Sequence, residues 1–252
     1  MDILFAASEL APMIKASPSA DVVASLSKAL RLLGHKVTLA LPRHPAMEAA
    51  GVMVARRLTP LVVNVGTERH EITVFDGRLS SGVDLILLDA EGMANGPWTT
   101  GGVVEGDAAS ARAVGLFVLA VVELVRQRAL AGTPFDVVHA HDWQAAMVPY
   151  VLREREGTAR PASVLTIHDV GRQGVFPREA LRTLGLGDQH FQPELLEFYG
   201  KVNYLKGGIL AADALTTGST TYAREILLPA NGHRLEGLLA ARSKQREIIG
   251  IV

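Results

Sequence analysis

The sequence predicts an α/β fold, a doubly wound parallel sheet with helices on both faces. Short apolar runs that are typical of buried strands alternate with longer segments whose apolar residues recur at helical spacing. Hydrophobic residues make up 48% of the chain and charged residues 20%, as in an ordinary globular protein with an ample core. With 252 residues the chain has the length of one large domain, and we expect a single domain over residues 1–252.

The first predicted unit is a strand, a helix and a second strand. An apolar run at 3–7 predicts the first strand, and apolar residues at helical spacing over 22–33 predict the helix. Gly34 ends this helix, and residues 36–41 form the next strand. These lengths are typical of a parallel βαβ unit.

The segment from 52 to 79 has a different pattern, in which apolar and polar residues alternate. Turn sequences at 66–68 and at Asp76–Gly77 interrupt it. This combination predicts antiparallel β-hairpins inserted at the edge of the sheet.

The α/β alternation then resumes. A buried strand at 83–88 is followed by a long Gly-rich loop at 92–106, and long loops of this kind are often functional. The later predicted elements are a helix at 108–128, a strand at 136–140, a helix at 144–155, a strand at 163–167, a helix at 205–212, a strand at 214–217 and a helix from Thr220.

The predicted sheet also indicates where a ligand would bind. Doubly wound sheets bind ligands beyond the carboxyl ends of their strands, so the loops that follow the strands are the candidate site. These loops lie at 8–21, 42–44, 139–143, 168–177 and 218–222.

Charge and cysteine content exclude several classes of partner and site. Lys and Arg total 25 against 26 Asp and Glu, so no net field favours nucleic acid or an anionic membrane. The chain has no cysteine, which excludes disulfides and thiolate metal sites and fits a reducing compartment. Asp2 is acidic where a signal peptide has positive charge, and Glu9 interrupts the apolar run that follows. The longest apolar stretch, 113–122, has about half the length of a membrane span. We expect a cytoplasmic protein without a membrane span.

A series of motifs matches one enzyme family in order along the chain. The motifs are MDILFAASELAP at 1–12, HAHDW at 139–143, TIH at 166–168, QGVFP at 173–177, NYLK at 203–206 and TYARE at 221–225. With them the chain resembles the N-terminal half of bacterial glycogen synthases and plant starch synthases, over nearly its whole length. The resemblance implies a Rossmann-like domain that is one half of a GT-B glycosyltransferase.

In the family the nucleotide-sugar donor is held mainly by a C-terminal domain, which we expect to be absent from this chain. The family pattern Ile-Leu-Asn-Gly-Ile-Asp, which leads into that domain, reads Ile-Ile-Gly-Ile-Val at 248–252. The loop at 92–106 likewise leads into a segment without the family's Tyr, Asp-Asn and Glu-Arg-Phe.

The first loop departs most clearly from the family. The family's Lys-x-Gly-Gly-Leu reads Lys15-Ala-Ser17-Pro18-Ser19 here, so both glycines that let the backbone approach the donor's phosphates are missing. Pro18 has no N–H. The alternative is an ordinary helix start, with Ser17 as N-cap, Pro18 at the first helical position and Asp21 in the first turn. Lys15 remains as a candidate phosphate ligand.

Asp142 and His168 are the candidate catalytic residues, if the chain is active. By resemblance Asp142 lies near the sugar acceptor and His168 contacts the donor sugar, while Asp169 replaces the family's asparagine with an acceptor-only carboxylate. Asp142 could instead cap the helix that follows it. His139 and His141 share one strand face, but no third metal ligand is evident, so we expect buried histidines and no metal.

Three further positions carry over from the family as candidate nucleotide-sugar ligands. They are Gln173 in the loop after the TIH motif and Asn203 and Lys206 on a helix beside the cleft. The alternative is that these residues only pack the loop and the helix.

Two functions follow from the resemblance. One is a non-catalytic binding, regulatory or assembly module that has kept the fold and lost the donor loop. The other is half of a retaining ADP-glucose:α-1,4-glucan glucosyltransferase, completed by a separate donor domain. Expected partners are α-glucan or ADP-glucose, and a protein or a second copy on the face that the missing domain would cover. We expect no cofactor and no nucleic acid.

Overall fold

The structure, a computed structural model, describes residues 1–49, 51–93, 98 and 106–251, with the backbone alone at 48 and 49. Most of the predicted loop at 92–106 therefore lies outside the described residues. The strands are β1 Asp2–Ala6, β2 Lys36–Pro42, β3 Val54–Arg56, β4 Leu61–Val65, β5 Glu68–Arg78, β6 Asp84–Asp89, β7 Val137–His141, β8 Ala162–Ile167, β9 Val175–Phe176, β10 Glu197–Phe198, β11 Lys201–Asn203, β12 Ala214–Thr217 and β13 Ile249–Gly250. The helices are α1 Ser19–Leu32, α2 Pro45–Ala49, α3 Ala108–Leu130, α4 Asp142–Glu156, α5 Ala180–Thr183, α6 Tyr204–Ala211, α7 Thr220–Glu225 and α8 Glu236–Gln245.

A largely parallel sheet forms the centre of the molecule, which confirms the predicted α/β class. Its strand order is β13-β12-β8-β7-β1-β2-β6-β5-β3, and the neighbours from β13 to β6 are parallel. The chain builds outward from β1 to β2 and β6 and later returns to place β7 on the other side of β1. The strand order therefore reverses beside β1, which is the position where open α/β sheets bind ligands.

Both faces of the sheet are buried, because side chains that alternate along each strand enter different cores. Leu4 and Ala6 of β1 belong to the larger core with α3, α4 and α6, whereas Ile3 and Phe5 belong to the smaller core on the side of α1. This alternation follows from the period of two along a strand.

The predicted antiparallel insertion is confirmed at the sheet edge, with one correction. The turn at Gly66 joins β4 to β5 in an antiparallel pair, but Asp76 and Gly77 lie inside β5 and not in a turn. β5 pairs with β6 there and also with β3. A Cβ on Gly77 would come within 3.0 Å of the Met53 carbonyl oxygen, so the glycine permits close approach of β3.

Helix α3 is the only described helix that is long and apolar enough to cross a membrane. Its mean hydropathy is 1.9 over the most apolar stretch, of which 78% is buried inside the protein. Val114 to Val122 are all buried in the larger core. The helix therefore has the surroundings of a core helix.

Several parts of the fold are absent from the sequence predictions, including the short helices α2 and α5. A small antiparallel sheet, β10-β11-β9, lies beyond the carboxyl edge of the main sheet. Near the end of the described chain, α8 is followed by β13, which pairs with β12. These strands are only two or three residues long, too short for a periodic signal.

Candidate functional site

An open cleft of about 380 Å³ lies at the carboxyl ends of the parallel strands. Its walls come from four of the five loops that the sequence indicated, those after β1, β7, β8 and β12. The volume is near the lower end of the roughly 300 to 1,000 Å³ typical of ligand pockets. The loop at 42–44 does not line it, and Arg43 there pairs with Asp89 at 2.9 Å.

The carboxylate of Glu9 lies inside the loop after β1 and binds two of its backbone amides. This side chain is 5% exposed, and its Oε2 accepts hydrogen bonds from the backbone N–H of Ala16 at 2.9 Å and of Ser17 at 2.8 Å. Both amides belong to the loop that would receive an anion. An internal anion therefore already occupies them.

The side chain of Ser17 caps the start of α1. Pro18 has helical backbone angles and the helix itself begins at Ser19, one residue later than predicted. The Ser17 hydroxyl accepts from the N–H of Ser19 at 3.2 Å, as expected of a capping side chain. Lys15 lies outside the cleft lining and pairs with Asp21 at 2.8 Å.

Asp142 is held in an unusual backbone conformation at the start of α4. Its φ is 54°, in the left-handed region, where aspartate is one of the few side chains tolerated. Its carboxylate accepts from the N–H of His168 at 2.8 Å, so it fastens the neighbouring loop. The alternative that Asp142 caps its own helix is not observed, because the hydrogen bonds of this carboxylate go to the N–H groups of His168 and Asp169. Burial raises the pKa of Asp142 to about 7.

Three histidines form a column from the cleft into the core. The rings of His139 and His141 stack at 4.3 Å and those of His141 and His168 at 5.4 Å, measured between centroids. His141 Nδ1 lies 3.1 Å from His168 Nε2, and His139 Nε2 lies 2.6 Å from the Thr166 hydroxyl. Burial lowers the pKa of His139 to about 3 and of His168 to about 4, and it holds the pKa of His141 well below its usual range.

Two buried polar atoms on cleft residues lack partners among the described residues. They are the Trp143 Nε1–H, a donor, and the Gln144 Oε1, an acceptor. Buried polar groups are normally paired, and because neither atom has accessible surface, a buried water or a small side-chain rearrangement would pair them.

Acidic side chains dominate the charge of the cleft. Glu9, Asp142 and Asp169 line it, and the single described cation in the lining, Arg172, pairs with Asp169 at 3.3 Å. A polyanion therefore meets an unfavourable field here, whereas a neutral polar ligand does not.

Tyr222 is a cleft residue to which the sequence assigned no role. Its hydroxyl accepts from the N–H of Val170 at 2.9 Å and so connects α7 to the loop that carries His168. The TYARE motif contained this residue, but a contact across 52 positions has no local signal.

Gln173, Asn203 and Lys206 are engaged inside the protein and do not line the cleft. Gln173 donates to the carbonyls of Val170 at 3.0 Å and of His233 at 2.9 Å, and it accepts from Asn203 Nδ2. The Lys206 ammonium donates to the backbone carbonyls of 193 and 197. The packing interpretation is favoured over ligand binding, because these polar groups are already satisfied.

Asn203 should be the most sensitive of these three positions. It is fully buried, and its Oδ1 caps α6 by accepting from the Lys206 N–H at 2.9 Å. We expect Asn203→Ala to lower the free energy of unfolding by about 2 kcal/mol, because a cap and a buried amide partner are lost together. Urea unfolding measures this, with exposed Asn231→Ala as the matched control. An effect no larger than that of the control would contradict the assignment.

Within 1–49, 51–93, 98 and 106–251, no group of three or more His, Asp or Glu side chains is arranged to hold a metal ion. The two strand histidines bond to Thr166 and to His168 instead.

Comparison with known proteins assigns the family. The sequence profile of the starch synthase catalytic domain matches residues 2–241. The chain is 37% identical over 257 residues to glycogen synthase 2 of Geobacter metallireducens, covering 100% of this chain and 52% of that protein. It is 40% identical over 248 residues to glycogen synthase of Alkalilimnicola ehrlichii, covering 96% and 50%. The chain thus spans about half the length of the curated relatives it matches.

A solved structure gives the same result for the fold. The catalytic domain of starch synthase IV from Arabidopsis thaliana, bound to ADP and acarbose, aligns with a TM-score of 0.87 and 26% identity. The alignment covers 100% of this chain and 51% of that chain. The chain therefore belongs to the starch synthase catalytic domain family and corresponds to the N-terminal half of a glycogen synthase, a GT-B glycosyltransferase.

Proposed function

We propose that this N-terminal half is a non-catalytic glucan-binding module that does not bind a nucleoside diphosphate. The observation that carries the proposal is the Glu9 carboxylate on the amides of Ala16 and Ser17. A donor phosphate would have to displace a buried carboxylate from these amides and would find no N–H on Pro18.

The cleft supports a neutral sugar better than a nucleotide. Its acidic lining disfavours the donor's phosphates, and the neutral polar side chains that also line it, such as Gln144 and Ser219, suit the hydroxyl groups of a sugar. A relative of known structure was solved with both ADP and acarbose. We propose that this chain retains sugar binding alone.

Calorimetric titration of the chain tests the proposal directly. We expect no ADP binding tighter than millimolar, and saturable binding of maltotriose. Gln144→Met should weaken maltotriose binding by up to about tenfold, because one hydrogen bond is lost, while exposed Gln127→Met should not. A low-micromolar dissociation constant for ADP would overturn the proposal.

Rebuilding the first loop tests whether Glu9, Ser17 and Pro18 prevent ADP from binding. The triple variant Glu9→Gln, Ser17→Gly, Pro18→Gly removes the internal charge and restores an N–H and close backbone approach. We expect it to bind ADP at least about ten times more tightly than the unmodified chain. The matched control, Pro60→Gly with Ser80→Gly in remote loops, should leave ADP binding unchanged.

The alternative is half of a glucosyltransferase completed by a separate donor domain. The observation in its favour is the pairing of the Asp142 carboxylate with the His168 N–H at the cleft. In that reaction the glucosyl C1 would leave ADP and bond to a glucan hydroxyl oxygen, whose proton departs. Transfer from ADP-glucose to glycogen, measured with a donor domain added, would support this alternative only if Asp142→Asn and His168→Ala abolish it.

A further inference from the structure

A second depression, of about 420 Å³, lies beside the hairpin formed by β10 and β11. Phe198, Tyr199 and Lys201 of the hairpin line one side, and the consecutive residues His233 and Arg234 line another. The lining is completed by residues of the loop after β8, namely Gly171, Gln173 and Val175. None of its lining residues lines the cleft described above. The two depressions are therefore distinct but adjacent, because Gly171 lies between Asp169 and Arg172 of the cleft.

Tyr199 occupies a turn position that does not suit a tyrosine. Phe198 pairs with Lys201, so Tyr199 and Gly200 form a two-residue hairpin turn with φ values of 50° and 78°. Turns with two positive φ values strongly favour Asn-Gly or Gly-Gly. The Tyr199 residue is 69% exposed, and its ring contacts the side chains of Phe198 and Arg234 and not the core.

The opposite side has the same unusual backbone. His233 and Arg234 have φ values of 49° and 70°, so three of the four non-glycine residues with positive φ in the described structure surround this depression. The fourth, Asp142, lies in the cleft. Left-handed non-glycine residues cluster at functional sites, where the surroundings hold them.

A buried amide network holds this side in place. Gln173, which is 4% exposed, donates to the His233 carbonyl at 2.9 Å and is itself bonded to buried Asn203 at 2.6 Å. The His233–Arg234 segment is thereby connected to the start of α6. The depression is formed in advance and does not need a ligand to order it.

The depression is basic although the whole chain has a net charge of −1. Lys201 and Arg234 line it, and among the described lining residues there is no carboxylate. Neither cation forms an ion pair within the described part of the chain. The Arg234 guanidinium lies instead 4.7 Å from the centre of the Tyr199 ring.

We propose that this depression binds a phosphate ester carried on a ring, either a sugar phosphate or a nucleoside monophosphate. Arg and Lys bind phosphate by charge-assisted hydrogen bonds, and Arg234 is oriented by its contact with Tyr199. The part of the exposed Tyr199 ring that Arg234 leaves uncovered offers a surface against which a sugar or base ring packs. The site is independent of the function proposed for the cleft.

Calorimetric titration of the full chain with glucose 6-phosphate and with AMP tests this inference. We expect saturable binding of at least one ester, and the stronger of the two identifies the source of the phosphate. Tyr199→Asn removes the ring but keeps a residue that the turn prefers, so it should fold normally and weaken binding about tenfold. Lys201→Gln should weaken binding by a similar factor, whereas exposed Lys28→Gln on α1 should not.

Several outcomes would overturn the inference. One is inorganic phosphate binding as tightly as both esters, because the ring would then contribute nothing. A second is maltose binding here with the same dependence on Tyr199, which would make the depression a neutral glucan site. A third is ester binding that His168→Ala abolishes and Tyr199→Asn does not, which would place the ester in the cleft.

Discussion

Replacing Gly174 with alanine is expected to lower the free energy of unfolding by about 3 to 4 kcal/mol. A Cβ at this position would lie 2.2 Å from Cε3 of Trp143, a side chain that is 1% exposed. The backbone cannot easily move away, because the Gly174 carbonyl accepts from the N–H of Tyr204 at 3.1 Å. The indole must therefore shift, and with it the wall of the cleft.

A matched control separates this clash from backbone strain. Gly174 has a φ of +63°, and Gly66 has a φ of +59° with nothing within 4 Å of its Cβ position. Gly66→Ala should therefore cost only about 1 kcal/mol, the strain that a left-handed alanine carries. Urea unfolding of both variants gives the comparison, and equal losses would show that Trp143 is not the obstacle.

Acidification from about pH 6 to about pH 4.5 is expected to lower the free energy of unfolding by about 4 kcal/mol. The cause is the column of His139, His141 and His168, whose pKa values burial lowers in the folded state. A histidine with a lowered folded pKa takes up its proton only after unfolding. Its stabilising contribution is therefore lost as the pH falls below about 6.5.

Asp142 acts in the opposite direction. Burial raises its pKa to about 7, so the folded state takes up a proton below that pH, whereas the unfolded aspartate stays ionised until about pH 4. On unfolding the three histidines bind three protons and Asp142 releases one, so the net uptake is two protons. The expected slope is therefore about 2 to 3 kcal/mol for each pH unit.

One substitution tests this proton balance. His139→Gln can still bond to Thr166 but binds no proton, so the slope should fall to about half. His35→Gln changes a histidine outside the column and should leave the slope unchanged. The measurement is urea unfolding across the pH range. Stability that stays constant or rises on acidification would mean that the column accepts charge in the folded state.

The framework could be predicted from the sequence because each element has a local pattern. The strands predicted at 36–41 and 163–167 correspond to β2 and β8 within a residue at either end. The turn predicted from the local sequence at Asp76–Gly77 is wrong. In the sequence, a glycine that permits close approach of another strand cannot be distinguished from a glycine that forms a turn. Only the position of Met53 distinguishes the two.

The candidate site could be predicted only in part. Asp142 and His168 were indicated by the resemblance to the family, and the structure brings them together at the cleft. Gln173 and Lys206 were indicated in the same way, yet their polar groups bond to backbone carbonyls inside the protein. Sequence order indicates which loop holds a residue but not the direction of its side chain.

The sequence by itself determined the parallel α/β frame, the family motifs and the loss of both glycines from the first loop, because these are properties of neighbouring residues. Only the tertiary structure decided which groups the amides of this loop bond to. Glu9 reaches amides seven and eight positions later, and Gln173 holds His233 across 60 positions. Such contacts depend on where the sheet brings its loops together, so no local pattern encodes them.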